Sequence, residues 1–299
     1  MDLVLDVLDT NLLTPHVYPT SWKEDDMTRQ FTTLMVLMNI GGVVLYLVAA
    51  SLNYYFIFDH RLMNHPLFLK NQIRRELKVA LGSIPYMSFP TCLLFLAEVR
   101  GYSRLYDNTS DSSLGIFSIP LSVFSFLFFT DMAIYWIHRW LHHPSVYRYL
   151  HKTHHIWKVP TPFASHAFHP ADGFLQSVPY HIYPFLFPLQ KYVYLLLFLF
   201  VNFWTVSIHD GDYRVPESLK PYINGSAHHT DHHLFYNYNY GQYFTLWDRI
   251  GGSFRTPSVF EGKDLIDEAM QYQLKKGKSE QNGAAENGST SNGVRHRKP

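Results

Sequence analysis

The stretch SSLGIFSIPLSVFSFLFFTDMAIYWIHRWLHH, residues 112–143, runs from an apolar segment directly into three histidines. Residues 112–130 carry no charge, and after Asp131 the apolar character continues to Ile137. A charge-free run of about 20 residues is long enough for one membrane-spanning helix. We therefore predict a helix that crosses the membrane here and places the three histidines, His138, His142 and His143, at its end.

Similar apolar runs lie on both sides of this stretch. Residues 30–58 and 79–97 are free of charge, and Lys191 alone interrupts residues 173–208. The sequence thus predicts an all-α fold, a polytopic membrane helical bundle with a cytosolic helical cap that carries a histidine-rich site. We expect a lumenal N-terminal segment, three transmembrane helices, a catalytic histidine domain with a membrane hairpin at 173–208, and a C-terminal segment disordered from about 276: residues 1–29, 30–137, 138–260 and 261–299.

The distribution of positive charge predicts the orientation in the membrane. Five lysines and arginines lie in residues 59–78, whereas only Arg100 and Arg104 lie in the loop after the second run. Cytosolic loops carry the excess of positive charge, so residues 59–78 and His138 are expected on the cytosolic side. Histidines lie before and after residues 173–208, and they can share one site only if this block crosses the membrane an even number of times. We therefore predict that the block is a helical hairpin. A single tilted span is the competing interpretation.

Composition excludes several classes of protein. Charged residues make up 16% of the 299 residues, below the roughly 25% of an ordinary soluble domain. The net charge of +1 provides no basic excess to neutralise phosphates, which argues against nucleic-acid binding. A single cysteine, Cys92, excludes a disulfide framework and a thiolate metal cluster.

Histidine is concentrated in one part of the chain. Of 18 histidines, 14 lie between His138 and His233, and most of these fall into three boxes with H-x3-H-H or H-x2-H-H spacing. On a helix, residues three or four apart share a face, so each box can grip one ion, while the adjacent histidine points about 100° away toward another. Two neighbouring metal ions suit such boxes, and imidazole favours Fe, Zn, Cu or Ni. The box histidines are His138, His142, His143, His151, His154, His155, His228, His229, His232 and His233.

A few further residues are candidates near the boxes. His209 follows the hairpin directly and is predicted as a ligand, ahead of His169 and then His166. Ligand histidines need a partner for their second ring nitrogen, and the acids beside the boxes are proposed for this role: Asp131, Asp210, Asp212 and Asp231. The sequence has no HExxH, GxGxxG or P-loop pattern, so a zinc protease is not supported and electrons must come from a partner.

Longer stretches around the boxes resemble a known family. TPFASHAFHP (161–170), NGSAHHTDHH (224–233) and GQYFTLWDRIGGSF (241–254) are similar to the sterol C5-desaturases of the fatty acid hydroxylase superfamily, which are membrane di-iron enzymes. The resemblance implies two Fe ions and a location in the endoplasmic reticulum membrane. It also implies that O2 and a Δ7-sterol are substrates, lathosterol becoming 7-dehydrocholesterol by gain of the C5–C6 double bond. Cytochrome b5, with its NADH-dependent reductase, would supply two electrons.

The same resemblance implies site residues. It carries over His138 with His142 or His143, the three histidines of the second box, the last three of the third box, and His209, whereas His228 has no clear counterpart. Thr161, Ser165 and Phe168 follow the second box and are expected to position the substrate.

Two other functions remain open at this point. Hydroxylation of a sterol or fatty acyl chain uses the same boxes and is separated from desaturation only by the longer stretches. A histidine-rich metal transporter is the rival from another class. Transporters place ionisable ligands at mid-membrane depth, whereas these boxes begin where the apolar runs end.

Overall fold

The computed structural model describes residues 1–289. Apart from the parallel pairing of two residues, Leu105–Tyr106, with two others, Leu189–Gln190, its regular structure is helical within that range. The fold is therefore the predicted all-α bundle. The elements are α1 (Asp2–Leu8), α2 (Thr14–His16), α3 (Met27–Phe56), α4 (Gln72–Ala97), β1 (Leu105–Tyr106), α5 (Ser118–Leu141), α6 (Pro144–Leu150), α7 (Pro170–Leu186), β2 (Leu189–Gln190), α8 (Lys191–Ser207), α9 (Ser226–Phe235), α10 (Leu246–Ile250) and α11 (Leu265–Ser289).

Three helices are long and apolar enough to cross a membrane, which confirms the multi-pass prediction. They cover Met27–Phe56, Gln72–Tyr102 and Gly115–Leu141. The carboxylate of Asp26 caps α3 by accepting from the amides of Thr28 and Arg29. Apolar side chains at four-residue spacing along α3 are about half exposed, as expected for a face turned to lipid: Val36, Ile40, Val44 and Val48.

The second span begins earlier than predicted. Helix α4 starts at Gln72, so its first turns contain Arg74, Arg75 and Lys78, which precede the span predicted from hydropathy. Pro85 and Pro90 lie inside the helix, as neighbouring helices in a bundle allow.

The fourth apolar block forms a helical hairpin. Helix α7 ends at Leu186, and α8 begins at Lys191, where the Gln190 side chain accepts from the amide of Val193. The turn is fixed by the β pairing, in which Leu189 lies opposite Leu105 and Gln190 opposite Tyr106. Two helices of 17 residues with a turn at residues 187–190 correspond to the predicted hairpin.

The long helices alternate in direction, so the bundle has two distinct ends. One end holds the N-terminal segment: the amino group of Met1 contacts Glu98, and Lys191 Nζ lies 2.6 Å from carboxylate oxygens of Asp2 and Asp107. At the other end, Tyr46 donates to the Phe163 carbonyl at 2.8 Å. Since α3, α4, α5, α7 and α8 each run between these ends, all the histidine boxes meet at the second end.

The second histidine box is anchored to the bundle by a buried tryptophan. Trp157 is completely buried in a core cluster that also contains Tyr46 of α3 and Ile84 of α4, and its Nε1 donates to the Ala167 carbonyl at 3.0 Å. Burying an indole of about 200 Å² stabilises the fold by about 5 kcal/mol on area grounds. The loop between the box and the hairpin is thereby held against the membrane helices.

The C-terminal segment differs from the prediction. Helix α11 runs from Leu265 to Ser289, so residues 276–289 are helical where the sequence predicted disorder. Lysine, glutamine, glutamate and alanine in this stretch favour helix, and they offset its glycines. Residues 290–299, the rest of the predicted disordered tail, lie outside the described residues.

Candidate metal centre

Four short segments supply the histidine rings of the centre. His138 lies on the last turn of α5, and His142 directly follows that helix. His151 directly follows α6, and His154 and His155 lie on the 3-10 turn that comes next. The remaining rings come from α9 and from the residue two positions after α8: His229, His232, His233 and His209.

These nine rings form two adjacent groups. Within each group, one nitrogen from every ring lies within 4.8 Å of the others. His155 of the first group and His233 of the second have ring centroids 4.9 Å apart, so the groups adjoin. The first group is His138, His142, His151, His155 and His232, and the second is His154, His209, His229 and His233.

The spacing of the nitrogens suits metal ions. The Nε2 atoms of His138 and His151 lie 3.1 Å apart, as do those of His142 and His155. In the second group, Nε2 of His209 lies 3.0 Å from that of His229 and 3.4 Å from that of His154. With metal–nitrogen bonds of about 2.1 Å, ligands at 90° to 109° have nitrogens about 3.0–3.4 Å apart.

Hydrogen bonds at the other ring nitrogen fix the tautomers. Nδ1 of His138 donates to the Tyr240 carbonyl at 3.0 Å, and Nδ1 of His151 lies 2.7 Å from a carboxylate oxygen of Asp172. Because each Nδ1 carries the proton, both Nε2 atoms present lone pairs, and two facing lone pairs at 3.1 Å repel unless a cation lies between them. This pair is the clearest sign of a metal site.

Other ligands are oriented by backbone carbonyls. Nδ1 of His209 donates to Thr205 O, and Nδ1 of His232 donates to Tyr238 O, both at 2.7 Å. Among the described residues, Nε2 of His232 is buried without a hydrogen-bond partner, as expected of a ligand atom. Protein groups that hold the second nitrogen set the ring orientation and raise ligand basicity.

Burial also keeps these rings neutral. It lowers the pKa of His209 to about 4, and it lowers the pKa of four other ligands well below 6.5, assisted by the neighbouring rings: His154, His155, His229 and His233. Neutral imidazole is the form that binds a metal ion. The donor set therefore fits two metal ions of the kind that imidazole prefers.

Asp172 is the ligand-orienting carboxylate that sequence reasoning missed. It is completely buried in the first turn of α7 and bonds His151. A signal was available, because Asp172 is the one acidic residue between Asp131 and Asp210. A lone acid at the start of an apolar helix has to be paired when it is buried.

The acids that were proposed for this role have other partners. Asp131 accepts from the amides of Gln242, Tyr243 and Phe244 at 3.0, 2.7 and 3.4 Å, and it bonds no histidine of residues 1–289. It holds the loop whose Tyr240 carbonyl orients His138, so Asp131 supports this ligand indirectly, through the backbone of that loop.

The remaining proposed acids lie beside the third box and outside the centre. Asp231 accepts from Arg255 and Ser258, and Asp210 accepts from the amide of Asp212. Asp212 in turn pairs with Arg214 on the surface. Within the described residues these three carboxylates make no hydrogen bond to a ligand ring, so their role in orienting the rings stays a prediction.

Three predicted ligands lie outside the two groups. The backbone of His143 is extended, its side chain caps α6 by accepting from the amide of Ser145, and it is exposed. His169 caps α7 in the same way through Ala171. His228 is buried between the rings of Phe254 and Phe260, at centroid distances of 6.1 and 5.8 Å. These rings serve packing and helix capping.

A cavity joins the centre to the membrane helices. It is bounded by faces of α3, α4, α7 and α8, and the rings of His138, His154, His209 and His229 lie at one end. Ser165 and Phe168, predicted to position substrate, line it, and the Phe168 ring lies 5.8 Å from that of His154. Thr161 does not line it, because its hydroxyl is buried against Glu76 of α4. The cavity therefore provides a space between the helices of the bundle that lies directly beside the histidine rings.

Comparison with known proteins identifies relatives along most of the chain. The fatty acid hydroxylase family model matches residues 123–253. Lathosterol oxidase of Homo sapiens is 64% identical over 263 residues, 88% of this chain and 88% of the relative. Lathosterol oxidase of Mus musculus is 60% identical over 288 residues, 96% and 95% of the two chains. The Delta(7)-sterol 5(6)-desaturase of Saccharomyces cerevisiae is 54% identical over 79% of this chain and 64% of its own length. No solved structure matches the chain significantly.

Proposed function

The chain belongs to the lathosterol oxidase group of the fatty acid hydroxylase family, and we propose that it is a sterol C5-desaturase. It would introduce the C5–C6 double bond into a Δ7-sterol and so convert lathosterol to 7-dehydrocholesterol. The observation that carries this proposal is the cavity between membrane helices that ends at the paired histidine groups. An apolar substrate and an O2-activating metal centre would meet there.

We propose that the two histidine groups hold two iron ions. Five rings would hold one ion and four the other, as grouped by their geometry. Iron in such a site supplies the activation of O2 that protein side chains cannot provide. The chain itself orients the ligand rings through Asp172 and the backbone carbonyls, and its apolar cavity excludes water from the reacting bond.

The proposed reaction balances with an external reductant. One O2 takes two hydrogens from the sterol together with two electrons and two protons, and two water molecules result. The sequence has no nucleotide-binding motif, so we assign the electrons to cytochrome b5 and its NADH-dependent reductase. The protein would lie in the endoplasmic reticulum membrane with the histidine end in the cytosol, where both donors are reached.

Sterol analysis tests the proposal directly. The chain is expressed in cells that lack their own C5-desaturase, and sterols are measured by mass spectrometry. We expect Δ7-sterols to fall and Δ5,7-sterols to appear, while a His151→Ala control restores nothing. Unchanged Δ7-sterol in cells that contain the folded, metal-loaded protein would refute the assignment.

Hydroxylation is the second candidate function. The family model that matches residues 123–253 is that of the fatty acid hydroxylases, and it covers the same histidine groups. Desaturation removes two hydrogens from the substrate, whereas hydroxylation adds an oxygen. The mass of the product therefore separates the two reactions in the same experiment.

A further inference from the structure

A glutamine in the cavity wall contacts the carboxylate that orients a ligand ring. Gln176 lies on α7, one helical turn after Asp172, and it lines the cavity. Its Nε2 donates to Oδ1 of Asp172 at 2.8 Å, while Oδ2 of the same carboxylate lies 2.7 Å from Nδ1 of His151. Gln176 thus links the cavity wall, through one carboxylate, to the first histidine group.

The contact with Asp172 fixes which way the amide of Gln176 faces. An amide nitrogen donates and a carboxylate accepts, so the nitrogen is held against Asp172 and the amide oxygen lies on the side away from it. Asp172 is completely buried, which strengthens this bond. The amide oxygen receives no hydrogen bond from residues 1–289, yet it keeps some accessible surface. The cavity wall therefore presents a hydrogen-bond acceptor at this point.

The rest of the lining indicates what kind of molecule would use this acceptor. The hydroxyls of Ser88, Ser177 and Thr205 each donate to a backbone carbonyl within their own helix. Apolar side chains such as Met38 and Phe198 form other parts of the wall. A fitting ligand is therefore largely apolar and brings a hydrogen-bond donor. A sterol with its hydroxyl has this chemistry, whereas the carboxylate of a fatty acid can only accept.

Gln176 also lies close to the centre. Two hydrogen bonds and the width of one carboxylate separate its Nε2 from Nδ1 of His151, so these two nitrogens are at most about 8 Å apart. In a sterol, C5 lies three bonds from the 3-oxygen, about 4 Å away at roughly 1.5 Å per bond. A hydroxyl held by Gln176 therefore keeps C5 and C6 at the end of the cavity where the ligand rings lie.

Another buried polar group in the cavity wall lies too far away for this role. Nδ1 of His181 is buried without a partner in the described part of the chain. His181 follows Gln176 by five residues on α7, which is about 7.5 Å further from Asp172 along the helix axis at 1.5 Å per residue. A hydroxyl bound by His181 would therefore leave C5, which is only about 4 Å from the hydroxyl, away from the ligand rings.

We propose that the amide oxygen of Gln176 accepts a hydrogen bond from the 3-hydroxyl of the sterol, and that this contact places the C5–C6 bond at the histidine groups. The proposal rests on the proposed sterol desaturase function. Asp172 has two tasks in this arrangement: its Oδ2 orients His151, and its Oδ1 holds the amide that binds the substrate. Substrate placement and ligand orientation thus depend on the same buried carboxylate.

Equilibrium binding tests the site without depending on turnover. Radiolabelled lathosterol is bound to the purified metal-loaded protein in detergent without reductant, and three unlabelled sterols compete: lathosterol, its 3-deoxy analogue and its 3-ketone. We expect the wild type to bind lathosterol about tenfold more tightly than either analogue, the effect of one hydrogen bond. The ketone accepts but cannot donate, so it shows whether the amide oxygen or the second N–H of the amide is used. This comparison needs no variant.

Two matched variants locate the acceptor. Gln176→Met keeps the length of the side chain but removes the amide, so it should weaken lathosterol binding about tenfold and leave deoxysterol binding unchanged. Gln242→Met is the control, because Gln242 also lines the cavity and its Nε2 is likewise used, donating to Thr205 Oγ1 at 3.1 Å. The control should keep the tenfold discrimination. Metal content and the affinity for the deoxysterol show that each variant is folded.

The possible outcomes separate this site from the proposed function. The hydroxyl site is refuted if the wild type binds the three sterols equally, or if Gln176→Met keeps the discrimination. It is also refuted if the ketone competes as well as lathosterol, or if Gln242→Met removes the discrimination. If the discrimination depends on Gln176 but the loaded, reduced wild type leaves lathosterol unconverted, the desaturase assignment fails while the recognition site stands.

Discussion

A carboxylate oxygen of Asp172 lies 2.7 Å from Nδ1 of His151, and both side chains are completely buried. The contact makes His151 an Nδ1–H tautomer whose Nε2 faces the first histidine group. It also joins the start of the membrane hairpin to the second histidine box. The hydrogen bond between Asp172 and His151 thus makes the orientation of this ligand ring depend on the position of helix α7.

Asp172→Asn should weaken metal binding and activity about 10- to 100-fold, as loss of such partners does in other metal sites. The amide has no charge to support the ligand, although its size is nearly the same. Metal content by mass spectrometry and sterol turnover check the prediction. Asp131→Asn is the comparison: it should lower the thermal unfolding midpoint, while the folded protein keeps its metal. A fully loaded and active Asp172→Asn protein would contradict this role.

His142→Ala should remove the metal ion from the first histidine group and abolish turnover, whereas the neighbouring His143→Ala should retain both metal ions and activity. His142 ring centroids lie 4.6 and 4.7 Å from those of His151 and His155, but His143 faces solvent and caps α6. Metal stoichiometry of the two purified variants is the measurement. Equal losses in both would mean that the helix end differs from the one described.

The histidine pair shows how far sequence reasoning reaches. Eight of the nine rings in the two groups belong to the boxes, since spacing of three or four residues places side chains on one face, and the ninth, His209, was predicted from its position directly after the hairpin. The boxes did not decide whether His142 or His143 is the ligand, although Pro144, the next residue, favours His142. A residue before proline is driven out of the helical conformation, and His143 accordingly has φ −61° and ψ 135°.

The partners of the ligands were harder to predict. Tyr238, Tyr240 and Thr205 hold ligand rings through carbonyl oxygens, which every residue possesses, so no residue type marks them. Their positions depend on the path of the loop after α9, and that path depends on Asp131, more than 100 residues earlier. By contrast, the spans and the hairpin follow from local hydropathy, and most of their ends were predicted within a few residues, although α4 begins at Gln72 rather than at residue 79.

His228→Phe should keep the full metal content and change the thermal unfolding midpoint little. His229→Phe, by contrast, should lose the metal ion of the second histidine group. Both His228 nitrogens are buried without a partner in the described part of the chain, so the imidazole gains nothing from its polarity there. Leaving such groups unpaired costs about 1–3 kcal/mol, which offsets the larger volume of the new ring. Loss of metal in His228→Phe would make this histidine a ligand after all.

Single cysteines at Lys152 and Lys220 should react with a membrane-impermeant maleimide from the cytosol, and one at Asn108 only after the lumen is opened. The first two lie at the histidine end, and Asn108 lies in the loop at the other end. Cys92 is completely buried, so the background should be low. Labelling of Lys152 and Lys220 from opposite sides would contradict the hairpin, and reversed labelling of all three would invert the proposed orientation.

The last prediction concerns Phe168, which lies between His154 and the start of the hairpin. A Cβ atom at Gly173 would lie only 2.1 Å from the Phe168 ring and 2.4 Å from the sulfur of Met87, so the glycine makes room for both. Gly173→Ala should therefore displace the ring into the cavity, and Phe168→Ala should leave the substrate loosely held. A misplacement of about 1 Å can cost about 10²-fold in rate, and we expect losses of that order in both variants.

The identity of the product is the sharper readout for this position. Desaturation requires that two neighbouring carbons lose hydrogen in turn, so a sterol held slightly off position should sometimes gain a hydroxyl instead. We expect both variants to release some hydroxylated sterol while they keep their full metal content. A matched control is Gly82→Ala on α4, where an added Cβ meets nothing within 4 Å. Slower turnover to the desaturated sterol alone would show that Phe168 affects substrate entry rather than the placement of the reacting carbons.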